Sequence, residues 1–172
     1  MAGPPRTEPD PRYGEPDVQA VAWTDALSRL ANAQVYWIAT MRPGAGPHIT
    51  PVIGVVSDDV FHFTTGAGEQ KELNLQADRH CTVLTGTNQI AAGTDVVVEG
   101  IAERVTDGAE LARLADAWAD KYGADWRFEV GDGVFHHAHS PAHDVPVFAV
   151  RPARAYAFGR GPASHTRYRF DA

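Results

Sequence analysis

The run from Val60 to Asp78 constrains this chain most: Val-Phe-His-Phe-Thr-Thr, then Gly-Ala-Gly-Glu-Gln, then Lys-Glu-Leu-Asn-Leu-Gln-Ala-Asp. Phe61, Phe63 and Thr65 alternate with His62 and Thr64, the period of a half-buried strand. Gly66 and Gly68 let the backbone turn sharply and let another molecule come close without meeting a Cβ. A helix follows, with its first N–H groups unpaired and its dipole favouring an anion there. Lys71 stands in or near the first turn, where a cation opposes that dipole. A phosphate between the helix end and Lys71 removes the conflict. An exposed lysine on a short surface helix satisfies the sequence equally, so on these residues alone both readings stand.

Met1 to Pro16 carry Pro4, Pro5, Pro9, Pro11 and Pro16 among charges with almost no apolar side chains. That composition predicts a disordered lead-in over residues 1–16, with one folded domain over 17–172. Asp17 is a good N-cap, and Val18, Val21, Ala22, Leu27 and Leu30 approximate one face of a helix ending near Asn32. Strands are expected over Val35–Met41, His48–Val56, His80–Thr85 and Asp95–Val105, with Gly100 at a candidate bulge. Pro51 cannot donate to a ladder and so belongs at an edge, a bulge or a ligand-facing break. Asp107 with Glu110 resembles a capping box, Leu111, Leu114, Ala115, Trp118 and Tyr122 follow helical spacing, and Gly123 stops that helix.

Ala124 to Asp144 reads as irregular, and its Trp126 and Phe128 either lid a pocket or cover the fold. Pro146–Arg151 and Ala153–Phe158 read as two strands broken by Pro152. Thr166 to Phe170 alternates, so Arg167 and Arg169 share one face. Mostly short strands with three helical segments make the chain mainly β, a small and largely antiparallel barrel.

Composition narrows the function. A formal charge of −7 argues against nucleic acid or an anionic membrane as partner. Cys81 is the single cysteine, so no internal disulfide forms and a reducing compartment is expected. Inside a strand it reads as a small core residue rather than a nucleophile. No apolar run approaches the ~18 residues of a membrane helix, and the first residues lack a signal-peptide layout, so a cytoplasmic location is expected. His136, His137, His139 and His143 crowd one loop at spacings that can hold a transition metal or haem. No cysteine joins them, and the reading adopted is a solvated polar loop with no metal ligands assigned.

Several segments together carry a family resemblance: Tyr36-Trp37-Ile38-Ala39-Thr40, Pro47-His48-Ile49-Thr50-Pro51-Val52, and Thr64-Thr65-Gly66 leading to Lys71 and Asn74. Asp95-Val96-Val97-Val98-Glu99-Gly100, Ala157-Phe158-Gly159-Arg160-Gly161 and Thr166-Arg167-Tyr168-Arg169-Phe170 extend it. From about Val18 to Phe170 the chain resembles the pyridoxamine-phosphate-oxidase-like split β-barrels, specifically the actinobacterial branch that uses the deazaflavin F420 or a flavin. The resemblance implies a homodimer with two cofactor sites across the subunit interface. It matches Lys71 to the lysine that meets the cofactor's phosphate-bearing tail. Thr64, Thr65 and Gln70 match the rim of that pocket, and Asn74 shares it by helical spacing. Thr50, Pro51 and Val52 match the strand beside the isoalloxazine-like ring, and Arg167 and Arg169 match a tail that folds toward the site; a solvated pair on an exposed strand face is the other reading of these two.

Pyridoxamine phosphate oxidases proper carry, by the same resemblance, an arginine beside that strand and a Val-Leu-Leu-Lys segment after it. Ile49 to Val56 hold no arginine or lysine here. A second phosphate lacks a clamp, so oxidation of pyridoxamine phosphate is not expected. The function implied is an F420- or FMN-dependent oxidoreductase passing a hydride to a small organic substrate. The alternatives are a non-catalytic F420 or FMN carrier, and a haem- or metal-binding split barrel.

Overall fold

The computed structural model describes residues 4–137 and 144–171. In chain order its elements are β1 (Arg6–Pro9), α1 (Trp23–Asn32), β2 (Tyr36–Met41), β3 (Pro47–Val52), β4 (Gly54–Ser57), β5 (Val60–Thr64) and α2 (Gln70–Ala77). Then come β6 (His80–Thr85), β7 (Gly93–Val105), α3 (Gly108–Tyr122), a 3-10 turn (Ala124–Trp126), β8 (Glu129–Gly131), β9 (Val134–His136), β10 (Asp144–Val145), β11 (Val147–Arg160) and β12 (Ser164–Arg169). Every strand pairing among the described residues is antiparallel.

The nine-stranded sheet closes on itself through β11. Its path runs β1-β12-β11-β7-β6-β2-β3, while β5 pairs with both β11 and β4. Only Ile53 separates β3 from β4, so the two ends of the path β3-β2-β6-β7-β11-β5-β4 meet along one run of chain. The product is a split barrel. The period-two side chains of its strands fill it: Tyr36, Ile38, Phe61, Phe63, Val83, Val96, Val150, Ala155 and Tyr168 are buried inside. A second cluster lies outside the barrel, where Leu111, Leu114 and Trp118 of α3 cover Val105, Val147 and Ala149. Phe128 and Phe135 meet the edge of the Trp118 ring there, the arrangement favoured by aromatic quadrupoles.

Several expectations hold locally. Asp107 caps α3 by accepting from the Glu110 N–H at 2.8 Å, and Gly123 ends the helix at φ 91. Pro51 does lie on the terminal strand β3.

Other expectations are corrected. Asp17 caps nothing: it stands at φ 65, and α1 begins only at Trp23. The intervening backbone is held by β12, since the Val21 N–H donates to Thr166 Oγ1 at 2.9 Å and its carbonyl accepts from the Tyr168 hydroxyl at 2.8 Å. The lead-in expected to be disordered forms β1 on the edge of β12, with the Asp10 N–H donating to the His165 carbonyl at 2.7 Å. Main-chain hydrogen bonds hold it, which need no apolar side chains. The strand expected over His48–Val56 breaks at Ile53 as the chain passes from the β2 ladder to the β5 ladder. Pro152 breaks nothing: β11 continues through it, with a register shift between Pro152 and Arg154 opposite Gly100. The irregular stretch after Gly123 contains the three-stranded sheet β10-β9-β8.

Candidate functional site

The site forms where β5 hands over to α2. Thr64 ends β5, and the Thr65 N–H donates to the Pro146 carbonyl at 3.2 Å, which fixes the turn against the start of β11. Gly68 takes φ 79, a conformation glycine adopts without steric cost, and so aims α2 across the barrel. The buried face of α2 carries Lys71, Glu72, Asn74 and Leu75.

Lys71 does not meet the helix dipole unaided. Its Nζ is ion-paired with Glu69, whose Oε2 also accepts from the Thr65 hydroxyl at 3.2 Å. The Lys71 side chain is 11% exposed and that of Glu69 51%, so the cation is fixed and the acid is peripheral. Burial pushes the Glu69 carboxyl up, but Lys71, Thr65 and the Gly66 backbone outweigh it and hold it below the usual carboxylate range. The turn before the helix is tied separately, since the Gly68 N–H donates to Glu72 Oε2 at 2.6 Å.

A cavity of about 290 Å³ opens beside this pair. Its polar end is Thr64, Thr65, Gly66, Glu69 and Lys71. Pro51 and Val52 form one wall, and Trp126, Phe128, His137 and Val145 form another. The aromatic wall comes from the 3-10 turn and from the residues just before β8 and just after β9, with Trp126 and Phe128 at 6.5 Å between ring centres. The cavity is thus anion-holding at one end and apolar along its flanks, the division that ligands with a charged tail and a flat body require.

The residues expected from sequence are only partly brought together. Pro51, Val52, Thr64, Thr65 and Lys71 line this cavity. Asn74 turns away from it: its Nδ2 donates to Thr40 Oγ1 at 2.9 Å, anchoring α2 to β2, and its Oδ1 accepts from Gln70 at 2.8 Å. Gln70 and Asn74 therefore position the helix. Thr50 stands one position before the cavity wall, with its Oγ1 buried and without a hydrogen-bond partner among the described residues. His48 Nδ1, two residues earlier on the same face of β3, is in the same state. Burial, with Arg42 and Lys71 nearby, lowers the His48 pKa.

Arg167 and Arg169 lie elsewhere. The cross-strand neighbours Pro51, Trp37, Leu84, Val97, Tyr156 and Arg167 form one row over the outer face of the sheet. Strands spaced ~4.8 Å apart put Arg167 about 24 Å from Pro51 along that row. Arg167 pairs with Asp10 at 2.8 Å, and Arg169 lies between Arg6 and Arg154 in the register. Within one chain they do not meet the Lys71 cavity.

Sequence reasoning missed Glu69 as a site residue and read His137 only as part of a histidine loop. An acid at a helix start is ordinary, so Glu69 gives no distinctive signal; Trp126 and Phe128, read from sequence as either lid or cover, line the cavity. Among the described residues no group of His, Cys, Asp or Glu is placed to hold a metal. His136 pairs with Asp144 at 3.2 Å and His137 Nε2 lies 2.9 Å from the Asp125 carbonyl, whereas His139 and His143 fall outside the described residues. Cys81 is buried, and burial pushes its thiol up to about 12, which fits a core residue. No helix among the described residues is long and apolar enough to cross a membrane.

Residues 24–159 match the family model for pyridoxamine 5'-phosphate oxidase. No curated protein matches the chain by sequence. Solved structures share the fold at low identity. The haem-binding protein from Mycobacterium smegmatis is 19% identical with a TM-score of 0.68, over 87% of this chain and 58% of that one. The chain thus spans little more than half the length of that protein. A conserved hypothetical protein from Mycobacterium tuberculosis is 20% identical with a TM-score of 0.65, over 85% of this chain and 89% of that one. A FAD-binding protein from Mesorhizobium loti is 18% identical with a TM-score of 0.59, over 86% of this chain and 95% of that one.

Proposed function

The chain belongs to the pyridoxamine 5'-phosphate oxidase family, and from that premise we propose that it is an oxidoreductase using F420 or a flavin such as FMN, held in the Lys71 cavity. One observation carries the reading. The Lys71 ammonium and Thr65 hydroxyl already hold an anion, the Glu69 carboxylate, at the mouth of an apolar, aromatic-walled cavity. The donor set therefore fits an anionic tail, and the walls fit a flat ring.

On this reading Lys71, Thr65 and Thr64 bind the phosphate-bearing tail. Pro51 and Val52 present a smooth strand to the ring, while Trp126 and Phe128 cover it and exclude water. The buried Thr50 hydroxyl supplies a hydrogen bond at the ring's edge. When bound, the cofactor supplies hydride transfer to or from a small organic substrate. Pyridoxamine phosphate is not that substrate, because the strand run over residues 49–56 offers no cation for a second phosphate.

A homodimer is part of the proposal. About 290 Å³ is at or below the low end for a ligand pocket, so one protomer encloses only part of such a cofactor. Trp37, Met41 and Ile49 expose 47%, 43% and 55% of their surface on β2 and β3, beside Pro51. A second copy packed on this face covers these side chains and completes the cavity. Arg167 and Arg169, remote from Lys71 in their own chain, are then placed to serve the other protomer's site. The setting we propose is the cytoplasm, where the buried Cys81 stays a thiol.

A second reading, haem binding, is carried by His137 in the same cavity wall. The test for both is titration of the purified protein with F420, FMN and haemin, followed by fluorescence and absorbance, beside Lys71→Ala. Micromolar or tighter binding of F420 or FMN, weakened by the substitution, is the expected result. Binding of haemin alone, with a Soret band indifferent to Lys71, would overturn the cofactor assignment. Turnover of the bound reduced cofactor with organic acceptors separates an enzyme from a carrier.

A further inference from the structure

Glu69 occupies the position before α2 that a capping side chain normally takes, yet it makes no cap hydrogen bond. Its carboxylate is folded onto Lys71 and Thr65 instead. The two donors are fixed by burial, Thr65 at 3% exposure, whereas the acid is half exposed and can leave without unpacking anything. A buried ammonium needs a counter-charge, so Lys71 keeps one at all times, from Glu69 or from a ligand. The other nearby acid does not exchange in this way. Glu72 is 5% exposed, accepts from the Gly68 N–H and faces Arg104 at 3.8 Å, so it stays committed to the turn before the helix.

We infer that Glu69 is a displaceable internal carboxylate that competes with the ligand's anion for Lys71 and Thr65. The inference rests on the cofactor reading above and adds the residue that the cofactor's anion displaces. A tethered carboxylate competes at a high effective concentration, so a ligand's anion binds more weakly than the bare donors would hold it. The phosphate monoester of FMN brings up to two charges and three acceptor oxygens, and the phosphodiester of F420 brings one charge and two, so each can displace it. Ring binding along Pro51, Val52 and Trp126 is indifferent to Glu69, because none of those contacts involves it.

The experiment compares wild type, Glu69→Gln and Lys71→Gln by fluorescence titration with two ligand pairs: FMN against riboflavin, and F420 against its phosphate-free chromophore. Unfolding curves confirm that each variant is folded, and Glu69→Ala repeats the comparison without an amide. The expected result is that Glu69→Gln tightens the phosphate-bearing member of a pair about tenfold, the lower end of what one charge-assisted hydrogen bond is worth, and leaves its phosphate-free partner unchanged. Lys71→Gln does the opposite to the phosphate-bearing member. If Lys71→Gln weakens FMN or F420 while both Glu69 variants leave it unchanged or weaker, the competition is refuted and the cofactor reading survives. If Glu69→Gln tightens both members of a pair equally, the gain does not come from the phosphate and the competition is refuted. If no phosphate-bearing ligand binds wild type or either Glu69 variant, both fall.

Discussion

Tyr122→Phe removes one oxygen atom and tests how α3 holds the joint between β3 and β4. The Tyr122 hydroxyl accepts from the Gly54 N–H at 3.0 Å and lies 2.9 Å and 3.0 Å from the Gly54 and Gln34 carbonyls. Gly54 is buried, immediately after the break at Ile53 that brings Pro51 and Val52 to the cavity. Its carbonyl keeps a second donor, since Lys121 Nζ reaches it at 2.8 Å. Its amide has no such reserve. The substitution therefore leaves one buried donor unpaired, which costs about 1–3 kcal/mol. For a chain of this size each kcal/mol lowers Tm by about 2–4 °C, so a fall of about 2–12 °C is expected. Urea unfolding measures the free energy, and hydrogen exchange at the Gly54 amide locates it. A loss below about 0.5 kcal/mol with unchanged exchange at Gly54 would show that α3 does not hold the joint, a smaller cost than any buried orphan donor carries.

The remaining predictions concern titration, backbone fit and assembly. Burial depresses the His62 pKa from 6.5 to about 4, so below pH 6.5 the unfolded chain binds the proton more readily. Stability is unaffected above pH 6.5 and falls by about 3 kcal/mol as pH drops through that window, at about 1.4 kcal/mol per unit. Unfolding curves at pH 7 and pH 4 should show the loss, and His62→Gln should remove most of it; an unchanged slope contradicts the assignment. Gly100→Ala places a Cβ 2.2 Å from the Arg151 carbonyl oxygen, a backbone atom that cannot swing aside. A loss of about 2 kcal/mol or more is expected, and a neutral result contradicts the register at the bulge. Trp37→Asp, on the exposed face of β2, is expected to turn a dimer into a folded monomer in sedimentation, whereas a wild-type monomer contradicts the assembly.

What the sequence revealed follows from where the stabilising groups lie. The strand, turn and helix from Val60 to Ala77 were legible because alternation, glycines and helical spacing sit in one short run. Lys71 was legible as a charge in conflict with a dipole, and the structure shows the conflict answered by Glu69. The lead-in strand was not legible, since its hydrogen bonds go to β12 at the far end of the chain. Asp17 misled because the side chains that cap helices also favour turns with positive φ. Pro152 misled for a topological reason. It falls between the segment of β11 paired with β5 and the segment paired with β12, where that edge has no ladder partner and a missing N–H costs nothing. In the site, the aromatic wall is built by residues 126–137, far in sequence from Lys71. Resemblance assigned Arg167 and Arg169 to the cofactor, and only the cross-strand register shows that they flank the opposite end of the sheet's outer face.

The most direct measurement is a crystal structure of the protein with F420 or FMN bound. The account predicts the phosphate between Lys71 Nζ and Thr65 Oγ1, with donor–acceptor distances of about 2.7–2.9 Å, and the ring along Pro51 and Val52. It also predicts that Glu69 is turned out to solvent in that complex. A phosphate held elsewhere, with the Glu69–Lys71 pair intact, would contradict it.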